Sequence, residues 1–227
     1  MEIFVDKSVP SKVKGFSIGW TRLQDISVMT PPNEDFLKAE RRTVSEIKKR
    51  YAADSLKDDP TIGYYRDMLL RLDLDPSRMR ISSEALARRA IKEGSLPHIN
   101  SAVDTVNLAS LKTFVTMSLF DEGKISGPIL LRLATEGEIF YDIGESHYKL
   151  SGKELVLTDK EKVLRIYPCR DAEGAKITLD TEGAILIVGG AIGIDDAKMK
   201  SAMATATAYL KRFSKGRVVE TGMTRVA

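Results

Sequence analysis

Apolar positions recur with two different periods along this chain, and the change falls near residue 113. Before it, from residue 34, they are spaced three and four apart, as in a helix with one buried face. Phe36, Val44, Ile47 and Tyr51 predict a helix over residues 34–52. Asn33 can cap its opening turn, with Glu34 and Asp35 following and Lys48, Lys49 and Arg50 at the far end, as the helix dipole favours. That basic cluster reads as a solvated helix end rather than a phosphate contact. Tyr65, Leu69 and Leu72 predict a second helix over residues 61–72. Leu86, Ala87, Ala90 and Ile91 predict a third, capped by Ser82 or Ser83 and closed by Gly94 in the left-handed position. A fourth starts near Asn100 or Ser101, with Val103, Val106 and Leu111 on its buried side.

After residue 113 the apolar runs become short and β-rich, at 129–133, 139–143, 154–157, 163–167, 176–179 and 184–188, with glycine-containing or charged turns between them. This spacing predicts a largely antiparallel sheet or a pair of packed sheets. Residues 184–188 are apolar throughout and predict a central strand buried on both faces. Three more strands are expected at 3–5, 16–20 and 26–28, with Trp20 in the core. A last helix is expected over 195–212, its core face made by Met199, Ala202, Ala206, Tyr209 and Phe213. The fold class is α+β. A strand and helix region, residues 1–81, is integrated with a core, residues 82–215, and residues 216–227 read as a polar, frayed tail.

Two polar features interrupt this pattern. Asn100, Asp104 and Asn107 are spaced four and three apart, so one face of an otherwise apolar helix holds all three. Burying them costs free energy unless each finds a partner. They either satisfy nearby backbone or form the floor of a pocket, and both readings stay open. The second feature is Gly189-Gly190-Ala191-Ile192-Gly193, between a strand and a helix as in phosphate-cradling loops. It lacks the Lys-Ser/Thr pair of a P-loop and reads as a tight connection.

Composition narrows the partners. The chain has 227 residues, 35 basic and 32 acidic, for a formal net charge of +3. A dedicated nucleic-acid binder carries a denser basic excess. One cysteine, Cys169, excludes an internal disulfide and suits a reducing compartment, so a cytoplasmic protein with no membrane association is expected. Two histidines and one cysteine do not make the usual zinc constellation, and no metal or other cofactor is expected. His98 and His147 read as exposed or locally bonded, and Cys169 as a buried, inert thiol.

Residues 82–111, SSEALARRAIKEGSLPHINSAVDTVNLASL, resemble the signature of the B3/B4 domain, found in the beta subunit of bacterial phenylalanyl-tRNA synthetase and in free-standing proteins. The resemblance continues through Phe120-Asp121, Leu131-Arg132-Leu133-Ala134, Gly137-Glu138, Gly152-Lys153-Glu154 and Thr158-Asp159 to Thr181 and Ile185. Asp59-Pro60, Tyr65-Arg66 and Asp75-Pro76-Ser77 resemble the N-terminal part of free-standing members. It implies a B3/B4-like fold of antiparallel sheets packed with helices, and tRNA, aminoacyl-tRNA or a small amino-acid-like ligand as partner. The implied activity is hydrolysis of mischarged aminoacyl-tRNA; the alternative is a non-catalytic RNA- or amino-acid-binding module. By the match Asn107 lines the pocket, and Ser118 stands where the synthetase has a histidine. The glutamate expected shortly after Thr181 is absent, since Ile187, Val188 and Gly189 stand there. Tyrosine editing, the synthetase's task, therefore loses two of its residues, while a related pocket remains the expectation. The candidate ligand-binding set is Asn100, Asp104, Asn107, Thr116, Ser118, Arg132, Glu138, Gly189 and Gly190, with Arg132 and Glu138 also expected as a structural pair. Positioning and oxyanion stabilisation by such groups would suffice for ester hydrolysis, and no side chain is assigned as catalytic.

Overall fold

The computed structural model describes residues 2–30, 32–144 and 146–227. Strands β1 (Ile3–Val5) and β2 (Phe16–Gln24) lead into four helices, α1 (Glu34–Arg50), α2 (Pro60–Arg71), α3 (Ser82–Glu93) and α4 (Ser101–Thr113). There follow β3 (Thr116–Asp121), β4 (Ile129–Leu133), β5 (Ile139–Tyr141), β6 (His147–Lys149), β7 (Leu155–Thr158), β8 (Val163–Tyr167), β9 (Arg170–Asp171) and β10 (Ala184–Gly189). Helix α5 (Asp196–Ser214) and β11 (Arg217–Val226) complete the chain. The α+β class and its mostly antiparallel pairing are as expected.

The run at β10 is apolar because water reaches neither face: all six residues are buried. It lies between β2 and β3, antiparallel to both, and β11 flanks β2, for the order β11-β2-β10-β3. Helices α4 and α5 pack against each other and against this sheet. A second apolar cluster joins Phe36, Val44 and Ile47 of α1 to Ala87 and Ala90 of α3, Leu108 and Leu111 of α4, and Phe213 of α5. This second layer is why α1 and α3 each carry an apolar stripe, while α4, packed between it and the sheet, is buried along most of its length. A five-stranded sheet, β1-β4-β7-β8-β9, is antiparallel except where β1 runs parallel to β4, and β5 with β6 forms a separate ribbon.

Several expectations are corrected. Residues 217–226 are not a frayed tail but a ten-residue strand paired along β2, with a bulge between Val218 and Glu220. Gly222 of β11 lies so close to the Trp20 indole that no Cβ would fit there. The cap residue of α3 is Ile81, which brings no side-chain bond, so Ser82 and Ser83 lie inside the first turn. Residues 26–28 and 176–179 are not strands; the former stretch makes single backbone bonds, Ile26 to Glu182 and Ser27 to Ser214. His147 opens β6 and is exposed, as expected. Arg132 lies on β4 and Glu138 just ahead of β5.

Candidate functional site

The polar helix face divides at Ile99. Asn100 caps α4 by accepting from the Val103 amide at 3.0 Å, and Asp104 folds back to accept from the Ile99 amide at 2.8 Å. Both line a hollow with Thr30, Pro32, His98 and Ile99. Asn107, one turn further on, opens onto a different cavity of about 90 Å³. This second cavity lies between Val103, Val106 and Asn107 of α4, Met117 to Phe120 of β3, and Asp171, Ala172 and Ile177. The exposed side chains of Ile99 and Ile143 stand at its edge. The Asn107 side chain has no hydrogen bond among the described residues, so its amide is free to meet a guest.

Ser118 and Asp171 make the polar end of the cavity. Ser118 is buried because β3 is covered on both faces, and its Oγ donates to Asp171 Oδ1 at 2.6 Å. Arg165 of β8 donates to the same oxygen at 2.8 Å. The Arg165 guanidinium is otherwise spent on the Met117 carbonyl at 3.1 Å, the Pro168 carbonyl at 3.0 Å and Ser82 Oγ at 3.1 Å. Burial raises the pKa of Asp171 above the ordinary carboxylate value, while the Arg165 cation and the Ser118 hydroxyl hold it down. Asp171 was not among the sequence-derived candidates, and no local signal marks it: it sits in a two-residue strand, 53 positions from Ser118.

The remaining candidates do not reach this cavity. Thr116 is buried, with Oγ1 donating to the Gly189 carbonyl at 3.3 Å. That carbonyl also accepts from Tyr65, and the Gly190 carbonyl accepts from Tyr167. A Cβ on Gly190 would come 2.5 Å from the Ser17 carbonyl, and one on Gly189 would meet the Tyr167 ring at 2.7 Å. These glycines are there for packing. No anion cradle forms ahead of α5, whose cap is the Asp195 carboxylate with Asp196 behind it. Arg132 and Glu138 form a two-pronged ion pair at 2.9 and 2.6 Å, which lowers the Glu138 pKa. Cys169 is buried against the Met79 carbonyl, and burial pushes its thiol up to about 12, far from a reactive thiolate. His98 pairs with Glu40 at 3.0 Å. Among the described residues no group of three or more acidic, histidine or cysteine side chains could hold a metal ion. Nor is any helix there long and apolar enough to cross a membrane.

Residues 64–227 match the B3/4 domain family. The chain belongs to that family. Curated relatives include the phenylalanine–tRNA ligase beta subunits of Vibrio cholerae serotype O1, 33% identical over 88 residues, and of Vibrio vulnificus strain YJ016, 31% identical over 143 residues. These alignments take in 39% and 53% of this chain but 11% and 18% of the relatives, so the chain spans less than a fifth of their length. The B3/4 fold is also similar, at a TM-score of 0.51 and 16% identity, to an N-terminal fragment of the phenylalanyl-tRNA synthetase beta-subunit from Pyrococcus horikoshii. That likeness covers 98% of this chain and 53% of the fragment. The match begins at residue 64, inside α2, so the B3/4 unit takes in the part of that helix that supplies Tyr65, whose hydroxyl donates to the Gly189 carbonyl of β10.

The cavity is small. Its 90 Å³ is about three water molecules' worth of space at ~30 Å³ each, well under the ~300 Å³ at which drug-sized ligand pockets begin. It suits a short side chain or an ordered water rather than a phenol ring. A wider hollow, about 620 Å³, lies between α5 and β11 and is lined mainly by methionine, alanine, valine and threonine with Lys200 and Lys211. It has no converging set of acid, amide and hydroxyl, so the B3/4 cavity at Asn107 is the better candidate for chemistry.

Proposed function

We propose that this B3/4 protein is a deacylase that hydrolyses the ester bond of aminoacyl-tRNA carrying a small side chain, with the aminoacyl group held at Asn107, Ser118 and Asp171. The observation that carries this reading is that Asn107, with no hydrogen bond among the described residues, lines the same cavity of about 90 Å³ as the Ser118–Asp171 pair. The exposed edge at Ile99 and Ile143 leaves room for the 3′ end of a polynucleotide to approach from solvent.

In this reading a water molecule attacks the ester carbonyl carbon. The bond to the ribose oxygen breaks, and the proton lost by water passes to that leaving oxygen. Asp171 holds the water and relays the proton; burial, which raises its pKa, makes it a better acceptor. Asn107 donates to the developing oxyanion, a role that requires an amide not already bonded within the chain. The small volume selects against tyrosine, in keeping with the serine at position 118 where the synthetase segment has histidine.

The test is a panel of tRNAs charged with alanine, serine, threonine, valine, phenylalanine and tyrosine, incubated with the purified chain. Release of the small amino acids, lost in Asn107→Ala and in Asp171→Asn with the circular dichroism spectrum unchanged, supports the proposal. A second reading is favoured by the two bonds already made to Asp171 Oδ1, which blunt it as a base. It is a binding module without turnover, and saturable binding of aminoacyl-tRNA with no release would establish it. Neither binding nor release would refute both.

A further inference from the structure

The hollow at the start of α4 contains an anionic imbalance that no described residue relieves. Asp104 has no solvent exposure; its Oδ1 accepts from the Ile99 amide, and its Oδ2 is buried without a hydrogen-bond partner. Glu40, reaching in from α1, is 3% exposed, with Oε1 accepting from the Leu96 amide at 2.6 Å and Oε2 bonded to His98. Among the described residues that line the hollow His98 is the sole basic side chain, so two buried carboxylates stand beside one basic group. Burial raises the cost of ionising Asp104, and the nearby Glu40 carboxylate adds to it. Asp104 and His98 both line the hollow, which measures about 410 Å³ and is walled otherwise by Thr30, Pro32, Ile99 and Asn100.

We propose that this hollow binds the primary ammonium group of a small organic cation, the Asp104 carboxylate turning outward as the guest enters so that Oδ2 forms the ion pair. An ammonium offers three donors in a compact head. One donor satisfies the orphaned carboxylate oxygen, and the others meet oxygens that the walls supply, such as the Thr30 hydroxyl. The charge the guest brings balances the Glu40–Asp104 pair, and the volume accommodates a molecule of amino-acid or polyamine size. Repulsion from the same carboxylates disfavours a guest that carries its own carboxylate beside the amine. The site does not rest on the deacylase reading, since among the described residues the two hollows share only Ile99.

The experiment titrates the full chain with propylamine, alaninamide and spermidine at pH 8, where an ordinary imidazole is neutral. Binding is followed by calorimetry and by backbone amide shifts in ¹H–¹⁵N spectra, with propanol as the neutral control. Expected is saturable binding of at least one amine, shifts centred on the amides of Ile99 to Asp104, none with propanol, and at least tenfold weaker binding in Asp104→Asn. A preference for spermidine would name a polyamine, and a preference for alaninamide an α-ammonium group. No saturable binding by any of the three, or equal affinity in Asp104→Asn, would overturn the proposal. Should that variant fail to fold, the wild-type spectra decide: amine-specific shifts at residues 99–104 support the site, and their absence or a different location refutes it.

Discussion

Replacing Arg165 by methionine keeps most of the side-chain volume and removes the cation, so it isolates what the guanidinium does. Arg165 is only 2% exposed and donates to the carbonyls of Met117 and Pro168, to Ser82 Oγ and to Asp171. One side chain thereby ties β8 to β3, to the first turn of α3 and to β9. Breaking a buried ion pair from one side costs about 3–5 kcal/mol. The Asp171 side chain is 29% exposed, so water screens part of the stranded charge, and the lower end, about 3 kcal/mol, is the better figure. Two carbonyls that lose a donor add about 1 kcal/mol each, of which methionine's apolar burial returns roughly half. The expected net loss is about 3–4 kcal/mol, a drop of roughly 6–16 °C in midpoint at ~2–4 °C per kcal/mol for a chain of this size. Urea unfolding followed by circular dichroism and by the fluorescence of Trp20, the sole tryptophan, measures it. The double variant Arg165→Met/Asp171→Asn removes the stranded charge and should recover about half of the loss. A single-variant loss under about 1 kcal/mol, or a double variant no more stable than the single, would refute the reasoning.

Three further outcomes follow from the same geometry. Gly190→Ala should destabilise by about 1–3 kcal/mol, because the added methyl meets the Ser17 carbonyl at 2.5 Å; an unchanged denaturation midpoint would show that β2 yields there at no cost. The Asp104 carboxyl is pushed up from 3.8 to about 6 by burial, so between those values the folded state holds a proton that the unfolded state releases. Stability therefore falls as pH rises through that window, by at most about 3 kcal/mol, and the cost is complete above it. Asp104→Asn should flatten the profile between about pH 4 and 6 and be more stable than wild type at pH 8; parallel midpoint-against-pH curves would contradict this. Deleting residues 217–227 should sharply lower the unfolding midpoint and expose Trp20, since β2 loses its outer partner along its whole length. An unshifted tryptophan emission spectrum in the truncated chain would argue otherwise.

The elements that local patterning revealed are those whose burial is periodic. The stripe Phe36, Val44 and Ile47 on α1 is buried, Asn33 caps that helix, Gly94 closes α3 with φ at +82°, and the wholly apolar run at β10 lies between two strands. β11 escaped because its sequence alternates poorly. Only Val226 is fully buried, and its inner surface is made by small residues such as Gly222, whose place is set by an indole two hundred positions away. The glycines at 189 and 190 suggested an anion loop because a glycine pair says only that a side chain is excluded. That the excluding groups are Tyr167 and the Ser17 carbonyl is a fact of packing.

The amino-acid order alone was enough for the α+β class, the four-helix run, the central strand and, through the signature at residues 82–111, membership of the B3/4 family with Asn107 and Ser118 as candidates. Those properties are carried by neighbours along the chain, where a period of two or near four reports which face meets water. Only the folded chain decided that Asn100 and Asp104 turn into one hollow while Asn107 opens onto another, and that Asp171, held by Arg165, completes the second. The reason is the range of the interactions: hydrogen bonds and ion pairs between residues 53 or 83 positions apart leave no trace in either period. They exist because α3, β3, β8 and β9 converge on one buried guanidinium.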